Sequence, residues 1–549
     1  MRGNSHISGK STARKNALRG GALVALAAMV VAAVETGSAM AGEDKGADTQ
    51  VSAAQAAGLG AKEKLVKRDV IKDADGTTHT RYDRTYAGMP VVGGDLIVHR
   101  APSGKVTTTK ASDHRIAVKT TVAAEDATEG ADATALAAAK SEKVTGAKAG
   151  KSTRIVWASE GKPRLALRTV VHGTQKDGTP SELHVITDAE SGKKLASLEE
   201  NRGFLTAGQS KKAAAAAART KAAAEEGTGA SQYSGDVKLT TTKEGNGYTL
   251  TDSERGKGQT TDLGNKEDDT GKGEPFTDED NKWGGKRQTA AVDAHYGAET
   301  TWDYYKSVHK RNGIKDDGKG ALSRVHYGKG YVNAFWDDAS FAMTYGDGEG
   351  DKKPLTSLDV AAHEMSHGVT SATANLNYEG ESGGLNEATS DIFATDVEFT
   401  AKNKKDAGDY LIGEQIDING DGSPLRYMDK PSKDKQSLDY WSEDAGNVDV
   451  HYSSGIANHF FYLLSEGSGK KKIGDVEYDS PTKDGSKVKG IGRDKAAKIW
   501  YKALTAYMTS TTDYKDARTA TLKAADDLFG KDSTESKAVA AAWTGVNVK

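Results

Sequence analysis

The 549-residue chain contains no cysteine. That absence excludes disulfides, cysteine-ligated zinc and a thiol nucleophile. If the protein is exported, something other than disulfides must brace it. An excess of one charge is also missing. With 75 Lys and Arg against 78 Asp and Glu, the formal charge is −3, which offers no global field for nucleic acid or a membrane surface. Long apolar runs are scarce. The run at 20–34 is short for a membrane span, and no other segment approaches one, so no membrane anchor is expected. That run follows Arg2, Lys10, Arg14, Lys15 and Arg19 and precedes Ala39-Met40-Ala41. Residues 1–41 therefore read as an export signal cleaved before Gly42, which places the protein outside the cell. No Arg-Arg pair precedes the run, so a twin-arginine route has no support.

Histidine is sparse as well, at 13 residues, yet His363 and His367 stand four apart in Asp359-Val360-Ala361-Ala362-His363-Glu364-Met365-Ser366-His367. The stretch holds no helix breaker, so both imidazoles project from one helical face and can grip one metal ion. Glu364 follows the first histidine and can reach a water at that metal. This is the H-E-x-x-H pattern of zinc proteases. A surface helix with two unrelated histidines is the plainer alternative.

A catalytic zinc takes three protein ligands and keeps one position open. Glu387, in Gly383-Gly384-Leu385-Asn386-Glu387-Ala388-Thr389-Ser390-Asp391, is a candidate third ligand on a second helix. Asp391 lies one turn further on the same face and can orient a ligand imidazole from behind. The metzincin alternative needs a glycine and a further histidine after His367; those positions are Thr370 and Thr373.

Taken together, His363-Glu364-x-x-His367, Tyr378, Asn386-Glu387-Ala388-x-Ser390-Asp391, Asn333-Ala334-Phe335-Trp336, Tyr345-Gly346-Asp347-Gly348, Arg426 and His451-x-x-Ser454-Gly455-Ile456 resemble the thermolysin-like neutral metalloproteases, a gluzincin family. The resemblance runs from about residue 231 to the C-terminus, with a family-like precursor region before it. It implies an α+β fold: a two-lobed catalytic domain with a β-rich N-terminal lobe, a helical C-terminal lobe and the zinc-site helix between them, preceded by an α+β pro-region. Domain limits follow as signal 1–41, pro-region 42–206, linker with maturation site 207–230, N-terminal lobe 231–370 and helical lobe 371–549.

By the same resemblance, His363, His367 and Glu387 hold Zn2+, with Asn386 and Asp391 behind them. Glu364 is the general base, and Tyr378 and His451 stabilise the oxyanion. Asn333 and Ala334 bind substrate backbone by strand addition, and Arg426 contacts the carbonyl beyond the scissile bond. Val360 and Leu425, with Leu355 and Ile412, form an apolar specificity pocket. The expected enzyme is a secreted, monomeric endopeptidase acting on proteins and peptides, cutting on the amino side of large apolar residues. It is made as a self-processed zymogen inhibited by its own pro-region. Calcium is implied at Asp359, Glu398, Asp409 and Glu414, while a further family carboxylate falls on Leu411. Asp417-Ile418-Asn419-Gly420-Asp421-Gly422 also reads as half a calcium loop, or as a polar turn; Met428 stands where its closing Glu belongs. The carboxylate that holds the oxyanion histidine in the family falls on Gly446, leaving Asp449 or Asp444 as substitutes.

The rest is read from local pattern. Residues 91–99, 166–172 and 183–187 suggest strands in the pro-region, with a hairpin turn at 188–192. Five pro-region histidines, at 79, 99, 114, 172 and 184, are scattered and suggest no metal site. The Lys/Ala run at 211–224 reads as solvated linker suited to nicking, with the mature N-terminus near 229–231. Residues 256–273 read as polar loop. Segments 455–464, 494–509, 514–529 and 533–543 have helical period.

Overall fold

The computed structural model describes residues 51–120, 124–205, 223–267, 270–285 and 287–549. The export signal and most of the linker lie outside the described residues. Among those described, no helix is long and apolar enough to cross a membrane.

The pro-region is one ten-stranded sheet between Glu63 and Glu199, with the helix Ala124–Ser141 packed on it. Ala135, Ala138 and Ala139 of that helix bury against Val171, Leu183 and Val185, so small residues on one face set its approach to the sheet. The strand expected at 91–99 is two, Met89–Val92 and Leu96–Arg100. The chain turns at Gly93 and Gly94, so the first piece can pair in parallel with Thr153–Trp157 while the second pairs with Thr78–Tyr86. The hairpin turn at 188–192 forms as expected: Asp188 Oδ1 accepts the backbone N–H groups of Glu190 and Ser191 at 3.0 and 2.8 Å.

Two sheets build the lobe that follows the pro-region. One has five strands, and here the linker boundary needs correction. Ala223–Ala230 is a strand paired along its whole length with Asp236–Glu244, and not part of a linker. Its composition hid it: small residues without apolar alternation. The reason for them is close packing. A Cβ on Gly229 would stand 2.6 Å from Val292 Cγ1 of the helix Thr289–His309. The second sheet contains Gly258–Lys266, parallel to Leu322–Tyr327, in the stretch expected to be loop. Leu263 is its single large apolar residue. Buried Thr260 and Thr261 take its other inward positions, with hydroxyl partners at His295 and the Lys272 carbonyl. Polar inward positions removed the alternation that marks a strand.

The helix Leu358–Ala372 crosses behind this sheet, followed by Gly380–Ala401. Gly368 allows close contact with the edge strand Ala334–Asp337: a Cβ there would meet Trp336 at 2.8 Å. The C-terminal helices Gly455–Glu466, Arg493–Ala506, Tyr514–Phe529 and Thr534–Gly545 lie where helical period places them. Their core is aromatic, with Phe460 stacked on Trp543 at 3.8 Å between ring centres. The architecture is thus the α+β arrangement expected from the sequence: a β-rich lobe, a helical lobe, and the histidine-bearing helix between them.

Candidate active site

His363 and His367 project from one face of their helix, and Glu387 reaches them from the next. All three are fully buried. The Nε2 atoms of the two histidines are 3.0 Å apart, with Glu387 Oε1 3.2 Å from His367 Nε2 and Oε2 3.5 Å from His363 Nε2. The far ring nitrogens are committed: His363 Nδ1 faces Asp391 Oδ1 at 2.8 Å and His367 Nδ1 faces Asn386 Oδ1 at 2.9 Å. Both acceptors require a proton on Nδ1, which leaves two unprotonated Nε2 lone pairs facing each other. Such an arrangement is repulsive unless a cation sits between them. Two nitrogens about 2.0–2.1 Å from a tetrahedral zinc lie about 3.3 Å apart, close to the observed spacing. Burial holds the His363 imidazole down at about 4, so it stays neutral as a ligand must. The donor set fits Zn2+.

Asp391 ties the site to the cleft. Its two oxygens accept the Arg426 guanidinium at 2.7 and 2.8 Å, and Oδ2 also accepts Asn458 Nδ2 at 2.8 Å. Burial works against its charge, but Arg426 and His363 outweigh burial and keep it ionised. Asn458 carries no local motif and was not singled out from the sequence.

Glu364 is fully buried beside this cluster, and neither of its carboxylate oxygens has a partner within hydrogen-bond geometry. Burial, then the charge of Glu387, push it well above the usual carboxylate range. Tyr378 donates its hydroxyl to Glu387 and stands 3.3 Å from His451 Nε2. Burial and Glu387 push the phenol up, so it remains a donor. Of the two substitutes for the missing carboxylate, Asp449 is in place: its Oδ1 is 2.8 Å from His451 Nδ1. Burial opposes the charged imidazole, but Glu387 and Asp449 together carry His451 up to about 9.

The cleft is occupied by the chain itself. Residues 202–205 run antiparallel to the edge strand, Arg202 opposite Trp336 and Gly203 opposite Phe335. The Phe204 N–H donates to the Ala334 carbonyl at 3.0 Å. Asn333 Oδ1 accepts the Leu205 N–H at 2.9 Å, and Asn333 Nδ2 donates to the Leu205 carbonyl at 3.2 Å. Arg426 Nη1 donates to the Phe204 carbonyl at 3.1 Å. His451 Nε2 lies 2.6 Å from the Gly203 carbonyl oxygen. The Phe204 ring is fully buried, edge-on to His363 and under the Arg426 guanidinium, and it and Leu425 both adjoin Gly413. Burying a ring of this size contributes roughly 1.5–3 kcal/mol. Pairings across 130 residues or so leave no local signal, so nothing in the sequence pointed to 202–205.

A second buried cluster is acidic. Oxygens of Asp359, Glu398 and Glu414 converge within 4.8 Å, and Asp406 and Asp409 press on them electrostatically. Burial and this mutual repulsion push Glu398 and Glu414 well up, Asp406 to about 7 and Asp409 to about 6. Glu398 Oε1, Glu414 Oε2 and Asp406 Oδ2 have no partner. Asp406 and Asp409 lie outside the three converging carboxylates and act on them through charge. The half calcium loop behaves differently: Asp417 Oδ2 pairs with Lys353 Nζ at 2.9 Å, and its Oδ1 closes the turn on the Gly422 N–H. The pro-region histidines are not all scattered either. His79 and His99 meet at 2.7 Å between Nδ1 atoms, with Lys502 donating to neighbouring Asp73, so a lysine already supplies the cation there.

Two histidines and a glutamate sharing a cation position, with a free carboxylate one residue from the first histidine, define a zinc-dependent hydrolase. Comparison with known proteins gives its family. Residues 226–371 match the family described as thermolysin metallopeptidase, catalytic domain, and 374–548 match its alpha-helical domain. Residues 63–108 match the fungalysin/thermolysin propeptide motif. A transglutaminase-activating metalloprotease of Streptomyces mobaraensis is 53% identical over 98% of this chain and 72% of its own length. Bacillolysin of Bacillus cereus is 35% identical over 89% of this chain and 85% of its own, and thermolysin of Alicyclobacillus acidocaldarius 35% over 89% and 86%. The chain belongs to the thermolysin family of metallopeptidases and carries its propeptide.

Proposed function

We propose that this chain is a secreted, monomeric zinc endopeptidase that cuts on the amino side of large apolar residues and is blocked by its own pro-region until that region is removed. One observation carries the reading. Glu364 stands unpartnered beside a buried donor set whose lone pairs call for a cation. In the roles proposed, His363, His367 and Glu387 hold the zinc, oriented by Asp391 and Asn386. Zinc supplies a polarised water of pKa near 7. Glu364 takes that water's proton and returns it to the leaving amine. Tyr378 and His451 donate to the oxygen that gains charge; one such donor is worth about 10²–10³ in rate. Asn333, Ala334 and Arg426 hold the substrate backbone. Residues 1–41 serve export and 42–206 serve inhibition and folding. The maturation cut lies before the strand Ala223–Ala230, because a cut at 229–231 would strip that strand from its sheet.

Specificity follows from the hollow that holds Phe204. A charged side chain there would lose hydration without a partner. Digestion of a peptide library, read by mass spectrometry, is expected to show cuts before Leu, Ile, Phe and Val and few before Asp or Glu. Leu425→Phe narrows the hollow and is expected to shift preference toward smaller side chains by roughly tenfold. Cuts mainly after Arg or Lys would overturn the pocket assignment.

Calcium is proposed at Asp359, Glu398 and Glu414, with Asp409 as a further ligand and Asp406 adding negative charge beside them. Hard carboxylate oxygens suit it, and it would relieve their repulsion where cysteine is absent. At about 100 times its Kd it would add about 2.7 kcal/mol, or roughly 4 °C in Tm for a catalytic region of this length. A calcium-selective chelator, with zinc held constant, is expected to lower Tm by that amount, and Glu398→Gln to abolish the difference. Equal Tm values with and without calcium would contradict the site.

A further inference from the structure

We infer that the peptide bond between Gly203 and Phe204 is held in the cleft as a substrate and is the first bond this chain cuts in itself. The inference rests on the peptidase reading above and identifies that site's first substrate. Five hydrogen bonds set the register. The Gly203 carbonyl oxygen meets His451, the group placed where charge develops on the attacked oxygen. The Phe204 N–H is held by the Ala334 carbonyl, its carbonyl by Arg426, and Leu205 is clamped at both backbone groups by the Asn333 amide. Backbone is therefore fixed on both sides of one bond, and that bond precedes a large apolar side chain seated in the specificity hollow.

The pro-region fastens the segment from both directions. Arg202 pairs with Asp338 at 3.0 Å and donates to Ser371 Oγ. From further back, Asp177 Oδ2 accepts Asn333 Nδ2 at 3.0 Å, so the amide that reads Leu205 is itself held by the pro-region. Holding a bond this firmly raises its effective concentration and disfavours competing substrates. The same contacts account for inhibition before the cut and slow departure after it.

The step is hydrolysis. Water is the only co-reactant. Its oxygen bonds to the Gly203 carbonyl carbon while Glu364 takes its proton. The bond to the Phe204 nitrogen then breaks, and that nitrogen receives the proton. The water's second proton leaves the new carboxyl group for the freed amine, so Gly203 ends as a carboxylate and Phe204 as an ammonium terminus, with no change of oxidation state.

The test follows purified full-length precursor by intact mass and N-terminal sequencing over a hundredfold range of protein concentration. The first new terminus is expected at Phe204, at a rate independent of concentration. Phe204→Leu is expected to cut at the same bond within a few-fold of wild type, and Phe204→Asp at least tenfold more slowly. Both variants are also scored for retained fold by circular dichroism. A first cut elsewhere, a concentration-dependent rate, or no cut in a precursor that folds would overturn the inference. Digestion of a peptide library before apolar residues, by protein freed of its pro-region with an added protease, would leave the peptidase reading standing in each of those cases; no digestion by zinc-loaded protein so freed would remove that reading instead.

Discussion

Full-length Glu364→Gln is expected to bind zinc like the wild type and to lose about 10²–10⁴ or more of its peptidase rate. The donor atoms come from His363, His367 and Glu387, whose mutual distances do not involve Glu364. The metal should therefore stay. What changes is the ability to accept a proton. Burial and the Glu387 charge leave the Glu364 carboxylate eager for a proton. Glutamine keeps the volume and loses the basicity. The variant should also accumulate as uncut precursor when other proteases are absent. Metal analysis paired with initial rates on a peptide checks it. Full activity, or loss of zinc through this substitution, would contradict the base assignment.

Asp391→Asn is expected to damage stability and metal binding together. The aspartate accepts a bidentate pair from Arg426, a bond from Asn458 and the Nδ1 proton of His363, all out of solvent. Removing its charge leaves the Arg426 guanidinium buried without a counter-ion, a loss of about 3–5 kcal/mol. His363 also loses the carboxylate that orients its ring, which typically costs 10- to 100-fold in metal affinity. Urea unfolding and zinc titration of this variant, in a Glu364→Gln background to prevent self-cutting, measure the two effects. A wild-type unfolding midpoint would show that Arg426 finds another partner and that the link between zinc and cleft is absent.

How much of this could be read beforehand depended on the range of the contacts involved. His363, Glu364 and His367 lie within one helical turn, so their geometry is written in spacing alone. Glu387 and Asp391 share a face for the same reason, and both reach the expected partners. His451 was legible from Ser454-Gly455-Ile456, but the carboxylate beside it stands two residues before it and not five, which only the turn at Asp449 reveals. Asp406 was missed because a buried carboxylate cluster has no periodicity. Residues 202–205 were missed because their partners lie more than a hundred residues away and their letters resemble any loop. Two strands, Ala223–Ala230 and Gly258–Lys266, were read as linker and loop because glycine and threonine fill positions where alternation would be apolar. Helices of the C-terminal lobe were recovered because alanine and aromatic stripes at helical period survive in the sequence.

The most direct measurement is a zinc back-titration of the matured protein after its metal is stripped. The account predicts no hydrolysis of an apolar-site peptide by the metal-free protein, with activity returning linearly and reaching its full value at one zinc per chain. Undiminished hydrolysis by protein shown to be metal-free, or full metal loading with no hydrolysis, would contradict it.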